Sequence, residues 1–205
     1  MDEKGYKILH RVDYNVDSNN ICVGFDISTN VLGVSIFDLN EKELISILSI
    51  KFLGDTVVHR MNGAQEFFYW FIQEYNVKDA HFVFEDYNPK FSAGKSTAQT
   101  IIALSSMNTF FQYLLYNSLK KDPTRYHVMT VRSALGITKL QKTLKKQGEK
   151  KPAKDLVFNY ITTLYNVEYV SDKQKDYEKY GIKDICDAIA LCETHYIKIF
   201  NLHKK

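Results

Sequence analysis

The sequence predicts an α/β domain with a five-stranded mixed sheet, its first three strands antiparallel, and helices on both faces. Three observations lead there. The apolar, β-branched runs ICVGFDIS (21–28), VLGVSIFDL (31–39) and ELISILSIKFL (43–53) follow one another closely, separated by the turn signals STN and NEKE, which describes an antiparallel meander. A helix-length segment then leads to a fourth run, HFVFE (81–85), and a crossover of that kind makes this strand parallel to the first. Two long helical patterns, 97–119 and 184–200, supply apolar faces to cover such a sheet.

Taken in order, residues 1–19 are polar and irregular and read as a flexible N-terminal arm, so that 20–205 form a single domain. Asp55 or Thr56 can cap a helix over 57–75, in which Val57, Val58, Met61, Phe67, Phe68, Trp70 and Phe71 form the apolar positions. The loop DYNPKFSAGKS follows HFVFE and precedes the helix over 97–119. YHVMTV (126–131) reads as a fifth short strand. A lysine-rich segment then leads to the helix DLVFNYITTLY, and the charged stretch SDKQKDYEKYGIK precedes the last helix, giving the order βββαβαβαα.

At 45% hydrophobic and 14% aromatic residues the composition excludes a disordered chain. The formal charge is only +3, but Lys139–Lys154 holds seven lysines against the single Glu149, a surface suited either to a polyanion or simply to solvent. No apolar stretch reaches the roughly 18 residues of a membrane span, and the N-terminus lacks a signal-peptide core. The expectation is a soluble cytoplasmic protein with no membrane partner. Cys22, Cys186 and Cys192 have no paired metal-ligand spacing and read as buried, reduced thiols.

Four carboxylates carry the functional argument. Asp26 lies inside an apolar strand, Glu85 ends another, and Asp184 and Asp187 open the last helix. An acid in a strand interior costs several kcal/mol if unpaired, by rough estimate. Asp184 and Asp187, three apart, share one helix side, and their position also suits the helix dipole. Parallel first and fourth strands bring Asp26 and Glu85 to the same sheet end. Oxygen-only ligands suit Mg²⁺, with Mn²⁺ able to substitute, and two such ions can drive phosphodiester hydrolysis. In that scheme Asp26 bridges both ions, Glu85 completes one shell, and Asp184 with Asp187 completes the other. His195, two turns beyond Asp187, reads as a core or rim histidine.

GFDISTNVLGVSIFD, FVFEDYNPKF and DICDAIALCETH, in this order and spacing, resemble the RuvC-type Holliday junction resolvases of the ribonuclease H-like superfamily, over roughly residues 21–195. The resemblance implies a ribonuclease H-like fold and a metal-dependent endodeoxyribonuclease, working as a homodimer, that resolves four-way junctions by paired nicks leaving 5′-phosphate ends. It maps Asp26, Glu85, Asp184 and Asp187 onto the family's catalytic metal-binding tetrad. Arg132 and Lys154 become candidates for contacting the scissile phosphate, with Lys151 a competitor of Lys154, and Lys139 a further DNA contact. In the loop after HFVFE, Tyr87 or Phe91 matches the place of a base-stacking aromatic, flanked by Lys90 and Lys95. By the same analogy the helix over 97–119 becomes a candidate dimer surface, with a core helix as the alternative its sequence equally allows. The lysine and tyrosine content points to a viral or low-GC source, with the host cytoplasm as the compartment if viral.

Alternatives of other kinds are a broader fork and flap nuclease, an actin-like or sugar-kinase-type nucleotide-binding protein, and a non-catalytic junction-binding protein. The kinase-like reading needs a second lobe with glycine-rich phosphate loops, for which a chain of 205 residues and nine glycines leaves little room.

Overall fold

The computed structural model describes residues 5–13, 20–86, 98–165, 167 and 181–202. Its sheet has six strands: β1 (Tyr6–Asp13), β2 (Ile21–Ile27), β3 (Val31–Asp38), β4 (Glu43–Phe52), β5 (His81–Asp86) and β6 (Thr124–His127), in the order β1-β4-β3-β2-β5-β6. β2, β3 and β4 form an antiparallel meander, β1 adds antiparallel to β4, and β5 and β6 run parallel to β2. The helices are α1 (Val57–Glu74), α2 (Ala98–Leu119), α3 (Val128–Ala134), α4 (Ile137–Lys146), α5 (Ala153–Tyr165) and α6 (Ile182–Ile199).

Alternation along the strands sorts their side chains onto two covered faces. Val23, Phe25 and Ile27 of β2, Leu32, Val34 and Ile36 of β3, and Phe82 and Phe84 of β5 pack with α1 and α2. Phe25 is the centre of that layer, stacked on Phe84 at 5.3 Å and edge-on to Phe71 and Phe111. Burying each such ring contributes roughly 1.5–3 kcal/mol. Residues of the opposite parity, Cys22, Phe37 and Val83, pack with α3, α5 and α6. Because both faces are covered, the central strands read as nearly unbroken apolar runs. All three cysteines are buried and free.

Helix boundaries follow local chemistry. Thr56 caps α1, its side chain accepting from the His59 amide at 3.2 Å. At the far end of α6 the buried Glu193 accepts a hydrogen bond from the Tyr165 hydroxyl and pairs with Lys42 of the β3–β4 turn at 3.1 Å. That network ties α6 to both α5 and the sheet.

Two expectations are corrected. The sheet has six strands, not five, because Tyr6–Asp13, expected to lie in a flexible arm, forms β1. Tyr6 is buried against Phe67 and Trp70, and Arg11 lies over Trp70 and Tyr75 while pairing with Asp13 and Glu74. A register shift between Ile8 and His10 sends Ile8 and Val12 to opposite faces, which erases the regular alternation a strand usually shows. Second, YHVMTV is not one strand. β6 ends at His127, whose ring accepts from the Met129 amide at 3.2 Å, and Val128 begins α3. Burial of Val131 and Ala134 outweighs the β-propensity of the two valines there.

Candidate active site

Parity and register place the first two acids. Asp26 shares the α6 face with Cys22 and Gly24, and Glu85 shares it with Val83. The parallel register pairs Phe25 with Phe84, so Asp26 and Glu85 come one step later, side by side at the strand ends. Ser28 closes the tight β2–β3 turn beside them, its hydroxyl donating to the Val31 carbonyl at 2.6 Å and accepting from the Val31 amide at 2.9 Å.

Asp184 and Asp187 come from the first turns of α6, which lies unusually close to the sheet. A Cβ at Gly33 would fall 2.2 Å from the Asp184 carbonyl oxygen, and one at Gly24 would fall 2.3 Å from the Ala188 carbonyl oxygen. Only glycines permit that approach. The result is a pocket of about 290 Å³ walled by Asp26, Glu85, Asp184, Asp187, Lys154 and Arg132. Lys154, at the start of α5, directs Nζ to Asp187 Oδ2 at 3.1 Å and to Asp184 Oδ1 at 3.5 Å.

The electrostatics are those of crowded, desolvated acids. Burial raises the Asp26 carboxyl well above its ordinary value, and Asp187, Glu85 and Asp184 add to the effect. Glu85 is pushed up to about 7, by burial and then by Asp187, against the opposing charges of Lys154 and Arg132. Burial also raises Asp184 and Asp187, with Lys154 opposing. Burial alone would lower the Lys154 ammonium, but Asp187, Asp26 and Asp184 more than compensate and raise it.

Among the described residues the acids do not close into a compact cage of three or more ligands; the Lys154 ammonium stands between two of them instead. The donor chemistry nevertheless fits a hard divalent cation. The set offers only carboxylate oxygens, and the repulsion that raises their proton affinity is what a divalent charge would relieve.

A pH dependence follows. With Glu85 at about 7 against its ordinary 4.5, the metal-free folded state holds a proton that the unfolded chain releases between those values. Metal-free stability therefore falls as pH rises through that window, whereas a divalent cation at these acids would require the ionised carboxylate and would bind more tightly as pH rises. Thermal melts from pH 4.5 to 8 in EDTA or Mg²⁺ should show a metal-induced gain in Tm that widens with pH. A gain independent of pH would contradict this assignment.

The remaining sequence candidates fall in different places. Arg132 and Lys154 line the acidic pocket; Lys139 and Lys151 do not, and Lys151 pairs with Glu149 at 3.5 Å. Tyr87, Lys90, Phe91 and Lys95 lie outside the described residues. His195 is buried away from the acids, with Nδ1 3.0 Å from the Tyr126 hydroxyl; burial and the neighbouring His81 push it down to about 4. Sequence reasoning passed over a small polar cleft that shares Glu85 and is lined by Asp86, Asn108, Gln112 and Arg125. Asn108 and Gln112, four apart in a largely apolar α2, were the available signal.

No protein-family model matches the chain. No curated protein matches it by sequence. Solved structures do match its fold. The chain is similar to Thermus thermophilus RuvC in complex with a Holliday junction substrate, at TM-score 0.61 and 11% identity over 89% of this chain and 96% of that one. It is similar to a second structure of T. thermophilus RuvC, at TM-score 0.57 and 13% identity over 88% and 96%. The yeast mitochondrial Holliday junction resolvase Ydc2 aligns at TM-score 0.55 and 11% identity over 92% and 85%. The chain thus has the fold of the RuvC-type resolvases.

Proposed function

We propose that this chain is a metal-dependent, structure-selective endodeoxyribonuclease that cleaves four-way DNA junctions. The observation that carries the reading is the convergence of Asp26, Glu85, Asp184 and Asp187, from two strands and a helix, on one pocket that also presents Lys154 and Arg132. The fold shared with solved resolvases, one of them bound to a Holliday junction, supports the substrate class.

Bound Mg²⁺ or Mn²⁺, two ions per site, would activate the attacking water and stabilise the leaving oxygen. Asp26, Glu85, Asp184 and Asp187 would hold these ions, with Asp26 contributing between Glu85 and the α6 acids. Lys154 offers its ammonium and Arg132 its guanidinium to the scissile phosphate, lowering the cost of bringing a polyanion against four acids. In the metal-free protein Lys154 pairs with Asp184 and Asp187, which keeps its ammonium in the same pocket.

Two symmetric nicks need two sites, which a homodimer supplies most simply. Exposed Ile102, Thr109, Tyr113 and Tyr116 of α2, at successive gaps of seven, four and three residues, lie along one stripe of the helix and favour that face for the partner copy.

The test is a labelled four-way junction, a fork, a flap and a linear duplex, each incubated with the protein in Mg²⁺, Mn²⁺ or EDTA and mapped on a denaturing gel. Paired metal-dependent nicks near the crossover, absent from linear duplex, are expected. Equal cutting of forks and flaps would broaden the substrate to branched DNA generally, and junction binding without cutting in either metal would refute the catalytic reading.

A further inference from the structure

A second basic feature lies beside the acidic pocket and takes no part in the chemistry described above. α4 ends at Lys145 and Lys146, and Gly148, at φ 84°, reverses the chain. The Glu149 amide donates to the Leu144 carbonyl at 2.9 Å and the Gln141 side-chain amide donates to the Lys151 carbonyl at 3.2 Å, pinning residues 147–151 back along α4. This fold-back sets Lys150 and Lys151 against Lys142 and Lys145 in an open groove of about 430 Å³, with Met129 in its wall.

We infer that this groove carries the phosphate backbone of a duplex arm leaving the catalytic pocket, an inference that rests on the nuclease reading. Among the described residues four lysines line one concavity with a single acid, Glu149, which pairs with Lys151 at 3.5 Å and leaves the lining with a net positive charge. Such an array repels itself unless a polyanion fills it. The whole chain has a net charge of only +3, so this is a local concentration rather than a generally basic surface.

The groove's place suits a backbone continuous with the reacting strand. α3 is a shared wall: Val128, Val131 and Arg132 line the acidic pocket, while Met129 lines the groove. Lys151 precedes Lys154 by three residues, at most about 11 Å of chain. At roughly 3.4 Å of axial rise per phosphate on one strand, that span corresponds to about three nucleotides. Among the described residues the lining is lysine-rich with no arginine fork and no aromatic ring, so it suits the charge of successive phosphates rather than a base edge or a stacked base. The groove therefore positions an arm and does not read its sequence.

The experiment measures binding of the full chain in EDTA to a four-way junction and to linear duplex across a salt series. It compares wild type with K142A/K145A/K150A and with K7A/K51A/K78A, which removes the same charge from elsewhere on the surface. Alanine suits the helical positions, and groove lysines are exposed, so the fold is expected to survive. Losing three phosphate contacts should flatten the slope of log K against log salt by about 2.7, whereas the remote triple should leave it close to wild type. Metal-dependent junction cutting by wild type is read in parallel. Wild-type cutting with an unchanged slope in the groove triple, or equal flattening in both triples, overturns the groove alone. Wild type that neither binds nor cuts DNA overturns both the groove and the nuclease reading.

Discussion

Replacing Asp26 with asparagine is expected to lower junction cleavage by more than about a thousand-fold while leaving junction binding intact. The figure corresponds to roughly 4 kcal/mol of transition-state stabilisation, within the several kcal/mol a correctly held metal supplies. Asparagine keeps the shape of the side chain on β2 but removes its charge from the pocket shared with Glu85 and the α6 acids. The variant also separates a catalytic loss from a folding loss. Burial and three neighbouring carboxylates make ionised Asp26 unfavourable in the metal-free protein, so the neutral amide should melt in EDTA at neutral pH no lower than wild type. An Asp26→Asn protein that cuts at the wild-type rate would remove Asp26 from the chemistry.

Gly33→Ala is expected to damage the site without touching a carboxylate. The added Cβ would lie 2.2 Å from the Asp184 carbonyl oxygen and 2.8 Å from the Ile185 amide nitrogen, both backbone atoms that no rotamer change can move. Helix α6 must lift or slide at its N-terminal end, carrying Asp184 and Asp187 with it. Overpacking of this kind costs about 1–3 kcal/mol of stability, and a displacement near 1 Å at a catalytic group costs about a hundred-fold in rate. Denaturant unfolding and cleavage kinetics on the same preparation should show both losses, with weaker Mn²⁺ binding. A stable Gly33→Ala protein with wild-type cleavage would mean that the closeness of α6 to β3 does not set the geometry of the acids.

These two residues illustrate what could be read before the structure. Asp26 declared itself because a lone acid in ICVGFDIS conflicts with burial, and Glu85 did so by ending HFVFE; a crossover between the two runs was enough to bring them to one end of a sheet. Gly33 carried no such signal, since a glycine in a strand acquires meaning only when the neighbouring helix is known. β1 was hidden by its own irregularity: the shift after Ile8 breaks the period, and its anchoring depends on Trp70, Tyr75 and Glu74 of a distant segment. α3 was misread because Val128 and Val131 favour strands locally, while the packing that makes them helical is tertiary. The lysine run was visible as charge, but its concavity depends on Gly148 and two hydrogen bonds that fold the chain back. The different places of Lys151 and Lys154 likewise needed three dimensions: the residues are close in sequence, yet one pairs with Glu149 and the other with Asp184 and Asp187.

The most direct test of the metal-site proposal is crystallographic: crystals soaked in Mn²⁺ near pH 8, with anomalous differences collected at the manganese edge. Two peaks roughly 4 Å apart, bounded by Asp26, Glu85, Asp184 and Asp187, are expected. Fully occupied manganese elsewhere, with Lys154 still bridging Asp184 and Asp187 and no density among the four acids, would contradict the proposal that this pocket is a metal-dependent nuclease centre.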